Sequence, residues 1–326
     1  MIKKIVTLYG TVFVILILLN FFLPRLMPGG PIEYLEGLDS GPTLTEQQKA
    51  SMIEYYNLDA SYLEQFVNYI VGIFKFDFGF SFSYKEPVTD LIFNHLPYTL
   101  WIVGISTILS IVIGVFLGLW SGWYYFKRND RPFMLTMMAI GTLPEFLIGM
   151  GLLLIFAVYL QVFPMGGAST PFIDSTNSWA VLVDYAKHAL LPIITLTIVS
   201  VSSTYLLVRN ETIQVIASPF IEFAQMKGIK RNRLVYRHIF RNAMLPIFTL
   251  LMIRIGMLFT GAIFVETLFS YPGIGKLLKE AVLSRDYPLM HGLFFAFSTI
   301  VLFFNALADL LYPKLDPRVK GGVKNE

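Results

Sequence analysis

Residues 98–126 read YTLWIVGISTILSIVIGVFLGLWSGWYYF, without one Asp, Glu, Lys or Arg. A helix needs roughly 20 mostly apolar residues to cross a bilayer, and this run is long enough. Five further stretches qualify: 5–24, 133–163, 189–208, 246–269 and 289–312. The expected fold class is therefore an all-α polytopic membrane protein with six transmembrane helices. The composition agrees. Of 326 residues, 55% are hydrophobic and only 14% charged, whereas a soluble domain carries about 25% charged residues. The net charge of +3 gives no reason to expect a nucleic-acid partner. With no cysteine, disulfide frameworks, Cys-ligated zinc and thiol catalysis are excluded. Lys3 and Lys4 precede the first apolar run, which is too long for a signal peptide and lacks a small-residue cleavage site, so it reads as an uncleaved anchor.

Lys and Arg set the orientation, because they accumulate in cytoplasmic loops. With the N-terminus inside, segments 1–4, 127–132, 209–245 and 313–326 hold 16 Lys/Arg in 61 residues. The opposite segments, 25–96, 164–188 and 270–288, hold 8 in 116. Both termini are expected in the cytoplasm. The domain reading is an N-terminal anchor (1–27), a small external subdomain (28–97), a five-helix core (98–312) and a cytoplasmic tail (313–326). The external segment holds ten Asp/Glu and three Lys. Within it, 45–56 and 62–74 are compatible with helix, and its many Tyr, Phe and Leu argue against a disordered tail.

The longest inner loop, 209–245, is also the most basic. Ser218-Pro219 reads as an N-cap followed by proline at the first helical position. Phe220, Phe223 and Ala224 recur at helical spacing as far as Gly228, where the helix should stop. Glu222 lies in the first turn, where the helix dipole favours a carboxylate. A second helix is expected from about Arg231 to Asn242, with Val235, Tyr236, Ile239, Phe240 and Ala243 on one stripe and Arg233, Arg237, His238 and Arg241 on the other. A basic amphipathic hairpin lying on anionic lipid fits this pattern. So does a helix that docks into a groove on a partner, and that reading also uses the glycine hinge and the acidic residue.

Glu222-Phe223-Ala224, Gly228 and Leu245-Pro246 resemble the EAA loop of ABC-transporter permeases. The longer spacing before Leu245-Pro246, with His238 and Arg241-Asn242-Ala243 inside it, is similar to the oligopeptide/dipeptide/nickel branch. Leu26-Met27-Pro28-Gly29, Asp77-Phe78-Gly79 with Ser81, His95-Leu96-Pro97 with Thr99, and Leu143-Pro144 with Phe146 resemble that branch too. Val265-Glu266, Pro272-Gly273, Asp286-Tyr287-Pro288 and Asp316-Pro317-Arg318 extend the similarity to nearly the whole chain. Two residues depart from the pattern. Phe223 replaces the first alanine of the motif, and Glu145 stands where an uncharged residue is usual.

The resemblance implies the type I ABC importer permease fold, in the cytoplasmic (inner) membrane of a prokaryote. It implies a second homologous permease, two ATP-binding subunits and an extracytoplasmic substrate-binding protein as partners. ATP and Mg would be held by the ATPase subunits, with no cofactor or metal on this chain and no enzymatic activity of its own. The residues agree: the only Gly-Lys pair, Gly275-Lys276, is followed by Leu277 and lacks the first glycine of a phosphate loop. Glu222, Phe223, Ala224, Gly228, Arg231 and Arg237 are the implied coupling residues, and Asn242, Leu245 and Pro246 the loop-end motif. A short peptide is the implied substrate, with an oligosaccharide or nickel complex as alternatives.

Two charges fall inside expected spans. Glu145 lies about 12 residues into its span, ~18 Å deep at 1.5 Å per residue, and Arg254 about 8 residues into another, ~12 Å deep. Such groups usually face a cavity or a partner. Glu145 and Arg254 therefore read either as a structural pair or as part of the translocation path. The same two groups would serve an ion-coupled secondary transporter, the rival from a different class. The four His are scattered with no metal-ligand spacing, and the thirteen Met read as lipid-facing or packing residues.

Overall fold

A computed structural model describes residues 2–29, 59–125, 130–173, 177–229 and 262–315, with the single positions 47, 53, 234 and 240. Its helices are α1 (Ile2–Arg25), α2 (Tyr62–Lys75), α3 (Val88–Trp123), α4 (Asp130–Thr142), α5 (Glu145–Leu152), α6 (Ser178–Ile216), α7 (Pro219–Met226), α8 (Ile274–Leu283) and α9 (Tyr287–Leu315). A π-helix at Leu153–Tyr159 continues α5. Among the described residues the only β pairing is an isolated bridge between Phe80 and Pro87.

Among the described residues, four helices are long and apolar enough to cross a membrane, at Thr7–Arg25, Val88–Trp123, Ser178–Ile216 and Tyr287–Leu311. A fifth candidate is a bent pair, Asp130–Thr142 and Glu145–Tyr159, at 96°, which forms either one broken span or a re-entrant loop. Most of the remaining expected span, 246–269, lies outside the described residues, although 262–268 is helical. The expected helix at 62–74 is α2, capped by Ser61, whose hydroxyl accepts from the Glu64 amide. The stretch 45–56 falls almost entirely outside the described residues.

The third span corrects the sequence reading. It was expected as one run over 133–163 and instead breaks before Glu145, because a residue preceding proline is pushed out of the helical region. Leu143 precedes Pro144, whose φ of −58° and ψ of 138° put it outside the helix as the N-cap of α5. The ~18 Å depth of Glu145 assumed a straight helix and does not survive a 96° bend.

The second and fourth spans are longer than their apolar cores. α3 begins at Val88, ten residues before the expected start, and runs through Pro97. α6 begins at Ser178, where the Asn177 side chain accepts from the Trp179 and Ala180 amides, each at 3.1 Å. Hydropathy marks the stretch that suits lipid, whereas caps and local packing decide where a helix ends.

Contacts divide the chain into two units. The first comprises Met1–Pro97 and Gly273–Phe303. Its centre is Phe21, fully buried, with the Phe66 ring at 5.0 Å and the His291 ring at 6.0 Å. The Arg25 guanidinium lies 3.7 Å over the Phe21 ring and donates to Phe21 O and Gln65 Oε1, each at 2.7 Å. Asp286 is fully buried and satisfied. It accepts from Ser81 Oγ at 2.5 Å and from the Ser83 amide at 3.0 Å, and caps α9 through the Leu289 amide at 3.2 Å.

The second unit comprises Tyr98–Pro272 and Phe304–Glu326. Ile102, Leu191, Leu196, Val265, Phe269 and Tyr271 form its main core. Glu266, fully buried, accepts from Thr99 Oγ1 at 2.5 Å. Gly114, Gly118 and Gly122 line one face of α3 against α6. A Cβ at each would stand 2.6 Å from Thr204 Cβ, 2.6 Å from Val208 Cβ and 2.7 Å from Thr212 Cβ. This Gly-xxx-Gly-xxx-Gly stripe lets two helices approach backbone to backbone.

Candidate functional site

The short helix α7 follows the end of α6 closely, with Pro219 at its first helical position. Proline there loses nothing, since that amide has no intrahelical partner. Ser218 stands at the N-cap, but its side chain does not cap; its hydroxyl turns back to donate to Val215 O. The amides of Ile221 and Glu222 instead reach the Ser218 carbonyl, at 3.0 and 3.4 Å. The expected side-chain cap is therefore replaced by a turn leading directly out of α6.

The C-terminus of α7 closes as expected from Gly228. Its φ of +74° is left-handed, the conformation in which glycine escapes a Cβ clash. The Gly228 amide donates to Gln225 O at 2.9 Å and the Ile229 amide to Ala224 O at 3.3 Å. These are the two bonds of a Schellman motif. A Cβ on Gly228 would meet nothing within 4 Å, so the cost of Gly228→Ala is conformational, about 1–2 kcal/mol. The expected result is faster hydrogen exchange at the Ile229 amide with the rest of the chain unchanged.

The two faces of α7 differ. Ile221 and Ala224 are buried and pack with Leu119, Trp123, Val215, Ile216, Ile229 and Leu234. Phe220, Phe223 and Met226 are exposed at 46%, 57% and 73%. Glu222 is exposed beside them, and Lys227 Nζ lies 4.6 Å over the Phe223 ring. Three large apolar side chains on two turns of helix, rimmed by an anion and a cation, form a surface suited to a partner. Of the expected coupling residues, Glu222 and Phe223 are on this surface, Ala224 seats the helix from beneath, and Gly228 ends it. Arg231, Arg237, Asn242, Leu245, Pro246 and Arg254 lie outside the described residues, as does the second loop helix apart from Leu234 and Phe240.

Close to this seat is a polar cluster that the sequence reading did not assemble. Arg209 of α6 and Asp130 of α4 are 5% and 4% exposed and form an ion pair. Ser121 of α3 donates to Asp130 and lies 2.7 Å from the Tyr205 hydroxyl, and Arg209 Nε reaches Ser121 Oγ at 3.2 Å. Three helices are thereby tied together at one level. In the sequence reading Arg209 counts only as an inner-loop cation, and Asp130 has no role. The available signal was that each sits within a turn of an apolar run.

Glu145 is the first residue of α5 and half-buried at the break. Among the described residues no hydrogen bond or ion pair reaches its carboxylate.

Together, the broken and continuous spans and the outward-facing helix after α6 describe a polytopic helical membrane protein with a surface suited to a partner. Residues 114–321 match the family described as "Binding-protein-dependent transport system inner membrane component". The chain belongs to that family and is a permease subunit. It is similar along nearly its whole length to curated relatives. The oligopeptide transport system permease protein OppB of Haemophilus influenzae is 31% identical, covering 98% of each chain. The oligopeptide transport system permease protein AppB of Bacillus subtilis is 29% identical over 93% of each. The glutathione transport system permease protein GsiC of Escherichia coli K12 is 28% identical over 98% of each.

Proposed function

We propose that this chain and a second homologous permease form the membrane pathway of an ATP-driven importer of short peptides. The observation that carries the reading is its near-complete alignment with permeases named for oligopeptide and glutathione transport. An extracytoplasmic binding protein delivers the substrate. Two ATPase subunits, which hold ATP and Mg, bind at the cytoplasmic face. The Lys/Arg distribution supports both termini lying on that face. Residues 28–97 serve as the external subdomain and 98–312 as the core that moves.

α7 is the lever. It is held between Pro219 and Gly228 and seated by Ile221 and Ala224, so a push on Phe220, Phe223 or Met226 reaches Leu119 and Trp123 of α3. Glu222 orients the contact, and Arg231 and Arg237 pair with acidic groups on the ATPase. Asn242, Leu245 and Pro246 close the loop against the next span. In this role Phe223 supplies an aromatic anchor where the motif usually has alanine.

The test is purification of the native complex from membranes, which should yield two ATPase chains and a second permease. Phe223→Asp should leave the amount of this chain in the membrane unchanged and weaken ATPase retention. Truncating an anchoring aromatic typically costs about 2 kcal/mol or more, some thirtyfold in affinity. A chain that purifies alone and transports without ATP would overturn the reading.

A further inference from the structure

The first unit holds a cavity of about 460 Å³ that has no part in the lever. It lies where α1 ends, at Arg25, and where the span of α9 begins, at Tyr287, and both residues line it. α2 closes it from the side. The Phe66 and Tyr69 rings of that helix lie 5.0 and 5.7 Å from the Phe21 ring, and Tyr69 meets the His291 ring at 4.8 Å. The cavity is therefore held at the level of one membrane surface, the outer one by the Lys/Arg distribution.

Two cations and one carboxylate line it: Arg25, Lys75 and Asp77. The Arg25 guanidinium donates to Phe21 O at 2.7 Å, Gln65 Oε1 at 2.7 Å and His291 Nε2 at 3.1 Å. Arg only donates, so His291 Nε2 accepts, and all three acceptors are neutral. They fix the guanidinium in place without neutralising it. Lys75 and Asp77 are brought to the wall by a tight reversal at the end of α2. Phe76 is left-handed there, with φ of 54°, and the Asp77 amide donates to Gly72 O at 2.9 Å. A Cβ on Gly72 would stand 2.5 Å from Asp77 O, so glycine is what permits the turn. Asp77 Oδ1 accepts from the Gly79 amide at 3.0 Å. Two positive charges against one negative leave the lining positive overall.

α2 also presents a bare apolar stripe beside the cavity. Leu63, Val67, Val71 and Phe74 recur at helical spacing and are 77%, 50%, 43% and 82% exposed. Val71 belongs to both the stripe and the lining. A positively charged cavity joined to an apolar strip, at the end of two spans, matches the two halves of an anionic phospholipid.

We propose that the cavity binds the headgroup of phosphatidylglycerol, with an acyl chain lying along Leu63, Val67, Val71 and Phe74. The phosphate diester meets Arg25 and Lys75 through charge-assisted hydrogen bonds. The glycerol hydroxyls donate to Asp77, and the single negative charge of the headgroup complements the lining. Phosphatidylcholine, neutral overall and without a headgroup donor, fits less well. The site is independent of what the transporter carries.

The test uses the whole complex in phosphatidylcholine nanodiscs titrated with phosphatidylglycerol, with the lipid retained on this subunit counted by native mass spectrometry. Phosphatidylglycerol should be retained in preference to phosphatidylcholine. Lys75→Gln should weaken its retention about fivefold, the effect of one basic residue near a membrane surface. Lys279→Gln, equally exposed in the same unit but outside the lining, should leave it unchanged. Because both lysines are exposed, neither variant disturbs folding. Phe74→Ser should also weaken retention, and water-soluble glycerophosphoglycerol, which has no acyl chain, should bind far more weakly than the lipid. Equal retention of the two lipids, or equal losses in Lys75→Gln and Lys279→Gln, would reduce the effect to diffuse surface charge and overturn the proposal. Glycerophosphoglycerol bound as tightly as the lipid would assign the cavity to a soluble phosphate ester and overturn it too.

Discussion

Arg209→Ala should destabilise the permease by roughly 3–5 kcal/mol, the usual consequence of leaving one member of a buried ion pair without its partner. Asp130 is 4% exposed, so water does not replace the lost guanidinium. The Ser121 hydroxyl, which donates to Asp130, remains, but a single neutral donor does not compensate a full charge. The thermal midpoint of the purified complex and the yield of folded chain in membranes should both fall. Asp130→Asn in the Arg209→Met background should restore part of the loss, because both charges are then gone and the volume is kept. Tyr205→Phe removes only one neutral hydrogen bond and should cost about 1 kcal/mol. If Arg209→Ala melts with the wild type and Asp130→Ala does not, Asp130 has another partner in the assembled transporter and the assigned pair is wrong.

Different parts of this molecule were legible for different reasons. The coupling helix could be placed from sequence because its limits are local: proline at the first helical position and glycine beyond the last turn restrict the backbone wherever they occur. The cap at Ser218 failed because a hydroxyl just past the end of a helix has a competing acceptor in the carbonyl three residues upstream, and here Val215 O takes it. The spans were legible from apolar length, but their ends were not. Val88–Pro97 and Ser178–Lys187 are helical beyond the apolar cores, and no hydropathy window marks them. The break at Leu143-Pro144 was written in the sequence, since proline restricts its predecessor, yet the surrounding apolar run masked it. The Asp130–Arg209 pair spans 79 positions, and no periodicity joins residues so far apart. It emerges only once α4 and α6 are packed.

Gly118→Val should be among the most damaging apolar substitutions in the chain. A Cβ at this position would lie 2.6 Å from Val208 Cβ and 2.9 Å from the Tyr205 carbonyl oxygen. The second of these is backbone and cannot swing aside, so α3 and α6 must separate. Overpacking of this kind costs about 1–3 kcal/mol, and a β-branched side chain adds two more carbons to the clash. Gly104→Ala on the same helix is the control. Its Cβ would meet nothing within 4 Å, and replacing a helical glycine by alanine should stabilise by up to about 1 kcal/mol. The two thermal midpoints should therefore move in opposite directions, and a Gly118→Val protein that melts with the wild type would show that α3 and α6 do not meet along this stripe. The damage should also spread beyond packing. Tyr205 bears the hydroxyl that meets Ser121, and Arg209 follows one turn later. Separating the helices at Gly118 therefore loosens the polar cluster as well. Gly118→Val and Arg209→Ala together should then cost less than the sum of the two, with a coupling of about 0.5–3 kcal/mol between sites that share neighbours. Strict additivity would mean that the glycine stripe and the buried ion pair hold α3 and α6 independently.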